Sequence, residues 1–191
     1  MKGTGGNMQV EQQPQFQQLE ENIIDVIVEQ QIKLGYRSET LRLYYPGESI
    51  NRILNTQLSS EELQDVLDQF CVYTRLRLGE VRHSNKDNRF CVIVPPAGVD
   101  FVYNEVKDRG FLTEFIESIR HHDCTLEDLQ RIFHKYSDKV VCEKMSGEEF
   151  DYLMYFEDEN PDSYRYCIKF EDCHATYHRF TKEDYADFEF K

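Results

Sequence analysis

Apolar residues recur at helical spacing from the start of the ordered-looking chain. Phe16, Leu19, Ile23, Val26, Ile27 and Leu34 fall on one stripe, and Gly35 follows where a helix C-cap belongs. The spacing predicts a helix from Phe16 to Leu34. Thr40–Tyr45 is short and β-prone, and Pro46-Gly47 ends it, which predicts a strand. A short helix is expected over Ser49–Asn55. Ser59 and Glu62 have capping-box spacing, with the Ser59 hydroxyl accepting a free backbone N–H while Glu62 reaches back. The helix behind this cap is expected to run to Leu78, with Leu63, Val66, Leu67, Phe70, Cys71 and Thr74 as its stripe and Gly79 as its stop. Glu80–Ser84 and Arg89–Val94 flank the polar turn Asn85–Asn88 and read as a β-hairpin. Pro95-Pro96 ends it, and Pro96 suits the first turn of a helix through Val106.

The second half changes period. Phe111, Leu112, Phe115, Ile116 and Ile119 predict an amphipathic helix after Arg109-Gly110. Thr125-Leu-Glu-Asp opens another, carrying Leu126, Leu129, Ile132, Phe133 and Tyr136, and the pair can pack as a helical hairpin. Four β-rich runs then fill Lys139–Phe180. At the first hairpin a two-residue loop sets Glu143 across from Phe150. A three-residue loop sets Cys142 across from Tyr152 and Val140 across from Met154, gathering more apolar groups on one face. In the last hairpin, with Glu171-Asp172 as the loop, Tyr164, Tyr166, Ile168, Phe170, Cys173, Ala175 and Tyr177 share a face. The other face carries Arg165, Cys167, Lys169, His174, Thr176 and His178, and clean alternation of this kind predicts one buried face and one exposed polar face. Thr181-Lys-Glu-Asp starts a final short helix.

The order helix, strand, short helix, turn, helix, hairpin, helix over residues 20–107 resembles the winged helix-turn-helix architecture. So does Arg89-Phe-Cys-Val-Ile-Val-Pro-Pro-Ala-Gly-Val-Asp-Phe-Val, which is similar to the strand–Gly–helix phrase after the wing in that superfamily. The second half, through Cys124-Thr-Leu-Glu-Asp-Leu, Asp151-Tyr-Leu, Tyr155-Phe-Glu-Asp, Tyr164-Arg-Tyr-Cys-Ile-Lys-Phe and Tyr177-His-Arg-Phe, resembles a family of bacterial proteins known only as a domain of unknown function. That resemblance implies a bacterial source and brings no activity or site. The expected fold is α+β: a tail over residues 1–15, a winged-helix-like domain over 16–107, and over 108–191 a helical hairpin packed on a four-stranded antiparallel sheet.

Charge modifies the picture. The net charge is −14, and residues 108–191 carry 11 basic against 21 acidic groups, whereas residues 23–107 carry 10 against 12. An acidic second half repels nucleic acid and anionic membranes. No apolar run reaches the length of a membrane span. The Gly- and Gln-rich N-terminus lacks the basic start and apolar core of a signal peptide, which points to a cytoplasmic protein. Cysteines at 71, 91, 124, 142, 167 and 173 form no C-x-x-C pair, and most lie in apolar runs, as free thiols in a core do.

A winged helix suggests DNA, and Arg75, Arg77, Arg82, Lys86 and Arg89 cluster at the helix end and the wing, where they could track a backbone. Against that, the would-be reading helix turns Glu61, Glu62, Asp65 and Asp68 outward, and carboxylates oppose phosphate binding. His174 and His178 would pair around a metal on a helix. On a strand they stand about 13 Å apart, so no metal site is expected there. Cys167 and His178 share a face, but no third orienting group accompanies them. The run His121-His122-Asp123-Cys124 points in too many directions for one ion, and Glu157–Asp162 lacks the glycine and distal glutamate of an EF-hand loop. No phosphate-binding, nucleophile-elbow or zinc-protease motif occurs, and no cofactor is implied. The sequence therefore reads as a non-enzymatic protein that works by binding, with another protein or its own copy as partner. The alternative is a DNA-binding regulator of winged-helix type.

Overall fold

The computed structural model describes residues 13–106, 110–147 and 149–188. The chain divides into two compact units, residues 1–108 and 109–191. The tail expected over residues 1–15 falls mostly outside the described residues, but helix α1 already begins at Gln13 and runs to Leu34.

In the first unit α1 buries Phe16, Leu19, Ile23, Ile24, Ile27 and Val28. Strand β1 (Leu41–Pro46) leads to helix α2 (Gly47–Ile53). The turn after α2 is held by one side chain. Asn51 Oδ1 accepts from the Thr56 hydroxyl and the Leu58 N–H, each at 2.8 Å, while its Nδ2 donates to the Leu58 carbonyl. Helix α3 (Ser60–Tyr73) starts at the capping box formed by Ser59 and Glu62. It stops at Thr74, earlier than Leu78, and the short helix α4 (Arg75–Leu78) completes the segment. The break coincides with Thr74 Oγ1 donating to buried Glu20 at 2.5 Å, which seats this turn on α1. Gly79 then takes φ +74, a conformation that glycine adopts without the Cβ penalty.

Strands β2 (Arg82–Lys86) and β3 (Arg89–Val94) form the hairpin. Its turn is two residues, Asp87 and Asn88, at φ 51 and 59, so it is tighter than the four-residue turn the sequence suggests. The sheet order is β1-β3-β2. Its inner face places Leu41, Leu43, Phe90, Val92 and Val94 in the core. Helix α5 (Pro96–Glu105) follows, and a Cβ on its Gly98 would stand 2.4 Å from the Leu78 carbonyl oxygen, so only glycine allows α5 to pass the end of α4. This arrangement of helices and a three-stranded sheet is compatible with a winged-helix-like fold.

The second unit has helices α6 (Gly110–Ile119) and α7 (Leu126–Tyr136), the latter capped by Thr125 and Asp128. Strands β4 (Val140–Lys144), β5 (Tyr152–Phe156), β6 (Arg165–Glu171) and β7 (His174–Phe180) make an antiparallel sheet in sequence order. Aromatic rings fill the space between helices and sheet. Phe111 meets Phe156 edge-on at 4.8 Å, Phe115 meets Tyr166 at 4.7 Å, and Phe133 stacks on Phe156 at 4.9 Å. Helix α8 (Lys182–Asp187) follows β7 under a Thr181 cap.

Both hairpin registers differ from those expected, each by two positions. Cys142 faces Met154 and Val140 faces Phe156, because the connection between the two strands is closed by Met145 N–H donating to the Asp151 carbonyl at 2.9 Å. Glu171 faces His174, so Asp172-Cys173 is the turn in place of Glu171-Asp172. A two-residue shift keeps every side chain on its face, which is why the expected core face survives the error.

The expectation of a bare polar face on this sheet is corrected for strand β6. Cys167 is fully buried with Phe150 and Leu153, and Met145, Tyr155, Phe180 and Tyr185 pack against that cluster. Arg165 is also buried, its guanidinium lying 3.9 Å over the Tyr155 ring. Lys169 is half-buried, while His174, Thr176 and His178 of β7 stay exposed. The cause is the chain before β5 and after β7: Phe150 and Tyr185 of α8 fold over the face that alternation alone leaves open.

Candidate functional site

Helix α3 and the hairpin are the elements a winged-helix protein uses to meet DNA. Ser60 Oγ accepts from Asn85 Nδ2 at 2.7 Å, and Asp68 Oδ1 meets His83 Nε2 at 2.9 Å. These two contacts dock α3 on the inner face of β2. Glu61, Glu62, Asp65 and Asp68 are all exposed, so the outward face of α3 is acidic over its N-terminal turns. The Ser59 hydroxyl and N–H hold the Glu62 carboxyl below its usual range. It is therefore charged at neutral pH, as the helix N-terminus favours.

The hairpin does not overhang. Pro46 of β1 pairs with Arg89, the residue next to the turn. The turn is also tied to the body: the Gly47 N–H donates to the Asn88 carbonyl at 2.9 Å, and Asn88 Nδ2 donates to Glu48 Oε1 at 3.1 Å. Its other residue, Asp87, is exposed and acidic. A wing that tracks a phosphate backbone needs reach beyond the body, and this one is flush with it, with the acidic Asp87 at its tip between Lys86 and Arg89.

The five basic residues marked by the sequence separate into two groups. Arg75 pairs with Glu80 at 3.0 Å. Arg77 pairs with Glu20, whose carboxylate is 1% exposed and also takes the Thr74 hydroxyl. Both are occupied within the fold. Arg82, Lys86 and Arg89 are exposed and have no ion pair among the described residues.

Pairing brings a fourth cation to those three. Arg42 and Ile93 are partners, as are Arg82 and Ile93, so one row across the sheet reads Arg42, Ile93, Arg82. The next reads Tyr44, Cys91, Ser84, and the last Pro46, Arg89, Lys86. Paired residues point the same way in an antiparallel ladder, so these nine side chains make the outer face of the sheet. It carries four cations and no carboxylate. Tyr44 at its centre row is 70% exposed, and Cys91 and Ile93 are half-buried. Arg42 and Tyr44 went unmarked in the sequence. Their one signal is the alternation Leu41-Arg42-Leu43-Tyr44, which puts both in the outward phase of a strand whose other phase is core.

Cys167 and His178 are direct cross-strand partners, closer than a diagonal pair. Burial, with the Glu149 charge, pushes the Cys167 thiol up to about 12, so it holds its proton at neutral pH. The His178 ring lies 5.4 Å from Phe150 and stacks on Phe180 at 6.0 Å. His174 pairs with Glu171 at 2.9 Å at the far end of β7. Asp162 of the acidic loop accepts from Tyr166 at 2.8 Å and pairs with Arg179 at 3.3 Å, which ties that loop to the sheet. Among the described residues no three His, Cys, Asp or Glu side chains come together as a metal site requires. A depression of about 190 Å³ beside Gln30, Leu34, Arg37 and Val99 is smaller than a small-molecule pocket. Among the described residues no helix is long and apolar enough to cross a membrane.

A two-unit α+β protein with a winged-helix-like first unit is thus the class the fold defines. The chain belongs to the uncharacterised bacterial family described as "Domain of unknown function, E. rectale Gene description (DUF3877)", whose match covers residues 16–188. No curated protein and no solved structure matches it.

Proposed function

We propose that the protein is a non-catalytic cytoplasmic binding module whose first unit engages another protein. One observation carries this reading: the outer sheet face gathers Arg42, Arg82, Lys86 and Arg89 around Tyr44, Cys91 and Ile93 in a chain of net charge −14. A basic, aromatic-centred surface left unpaired within an acidic protein is available for an outside group. Tyr and Arg are also the residues that dominate protein–protein hot spots. In-cell cross-linking with mass spectrometry tests it. Cross-links from Lys86 should reach a second protein and disappear when Arg82 and Arg89 are replaced by Glu. Cross-links that persist unchanged in that variant would remove the support.

The second reading is a DNA-binding regulator, favoured by the exposed, unpaired Arg82, Lys86 and Arg89 on the hairpin. The acidic outward face of α3 and the flush, Asp87-tipped turn oppose it. A gel shift over random duplexes at low salt decides it: binding abolished by Arg82→Ala with Lys86→Ala and Arg89→Ala would establish the DNA reading.

A further inference from the structure

The outer sheet face has a spacing as well as a charge. Its three rows lie two residues apart along each strand, roughly 6.8 Å, and neighbouring strands lie about 4.8 Å apart. Arg42 and Arg82 flank Ile93 at one end. Arg89 and Lys86 sit together at the other, with Tyr44 and Cys91 in the row between. The two cationic ends are thus about 13 Å apart, with Tyr44, Cys91 and Ser84 between them. The ends match an extended polypeptide, whose residues i, i+2 and i+4 face one side and span the same length. We propose that this face binds an extended acidic peptide segment of a partner protein, with two carboxylate side chains four residues apart and an apolar side chain midway. The first carboxylate meets Arg42 and Arg82, the second meets Arg89 and Lys86, and the apolar group rests on Tyr44 and Cys91. The proposal rests on the binding-module reading and adds the chemistry of the occupant.

Size favours a peptide over a folded domain. Nine side chains form the face, whereas a standard interface takes about 20–30 residues from each partner. Composition favours protein over single-stranded nucleic acid. Binding of single strands draws on successive aromatic platforms, and this face has one aromatic ring, Tyr44. It also grows with the number of phosphates neutralised, and only four cations are present. Guanidinium groups suit the carboxylates, since three of the four cations are arginines able to bond in bidentate fashion.

The test is fluorescence anisotropy with the full chain and a labelled peptide carrying two glutamates four residues apart around a leucine. Saturable binding is expected, weakened about tenfold or more by Arg82→Glu with Arg89→Glu and reduced by Tyr44→Ser. It should also fall as salt rises, and the same peptide with lysines for glutamates should not bind. Circular dichroism checks that the surface variants keep their fold. Three outcomes overturn the proposal: no binding at millimolar peptide, binding indifferent to the charge reversal, or an oligothymidylate that binds more tightly and displaces the peptide. If the cross-links to a second protein depend on Arg82 and Arg89 while the peptide fails to bind, the binding-module reading stands and the acidic-peptide assignment falls.

Discussion

Arg77 is the residue at which a functional and a structural reading of the same side chain can be separated by measurement. Its position at the end of the helical segment suggests a phosphate contact. In the structure it pairs with Glu20, a carboxylate 1% exposed that also accepts from the fully buried Thr74 hydroxyl. Replacing Arg77 with Leu leaves that carboxylate with one donor. A hydrogen bond to a charged group contributes about 1.5–3 kcal/mol, and stranding a buried charge costs more. The Arg77 side chain is 49% exposed, so water can replace part of what it supplies, which puts the estimate near the lower end. Arg77→Leu should therefore destabilise the first unit by about 2 kcal/mol. Urea titration followed by far-ultraviolet circular dichroism reads this as a lower midpoint at unchanged slope. A double-mutant cycle with Glu20→Gln should give a coupling of about 1 kcal/mol or more, because the two groups are in contact. A stability change below about 0.5 kcal/mol, or no coupling, would refute the argument that Arg77 is committed to the fold.

Thiol reactivity and acid stability provide two further checks. With a maleimide near pH 8, exposed Cys173 should label quickly, half-buried Cys71, pushed up to about 11, slowly, and buried Cys167, pushed up to about 12, only on unfolding; peptide mapping showing Cys167 as fast as Cys173 would contradict its burial. Glu62 and Asp128 are held below their ordinary values by the hydroxyl and N–H of Ser59 and Thr125, and Glu114 by Lys135 and Tyr136. Groups depressed in the folded state stabilise it above their unfolded pKa, about 3.9–4.3, and lose that contribution as pH falls through the folded values. The melting temperature should fall below about pH 4.3, with part of the slope removed by Glu62→Gln and Asp128→Asn; a melting temperature flat down to pH 3 would contradict it.

Local chemistry made much of the fold legible. The caps at Ser59, Thr125 and Thr181 each carry their signal within four residues, and all three start helices where that signal stands. Register was less legible, because loop length depends on contacts such as Met145 to Asp151 that the strand pattern does not encode. The covered second face of the larger sheet was hidden for a different reason. Arg165 and Cys167 alternate with apolar residues as solvent-facing groups do, and what packs over Cys167 is Phe150 and Tyr185, outside the strand that carries it and unmarked by any local signal. The candidate surface was half legible. Arg82, Lys86 and Arg89 stand close together in the chain, but Arg42 and Tyr44 join them only when β1 pairs with β3 across some fifty residues.

The docking of α3 on β2 through Asp68 and Ser60 puts the acidic helix on the inner side of that strand, while Arg82 and Lys86 leave from the outer side. The first unit is therefore polarised, negative on one side and positive on the other. Two copies that meet through these surfaces join unlike patches, so each contact leaves one patch of each sign free at the ends. Such a head-to-tail assembly closes into a ring where the rotation between copies allows it and otherwise lengthens as a thread, copy by copy. Since the attraction acts over a Debye length of roughly 8–10 Å at physiological salt and farther in dilute buffer, ionic strength sets how long the thread grows.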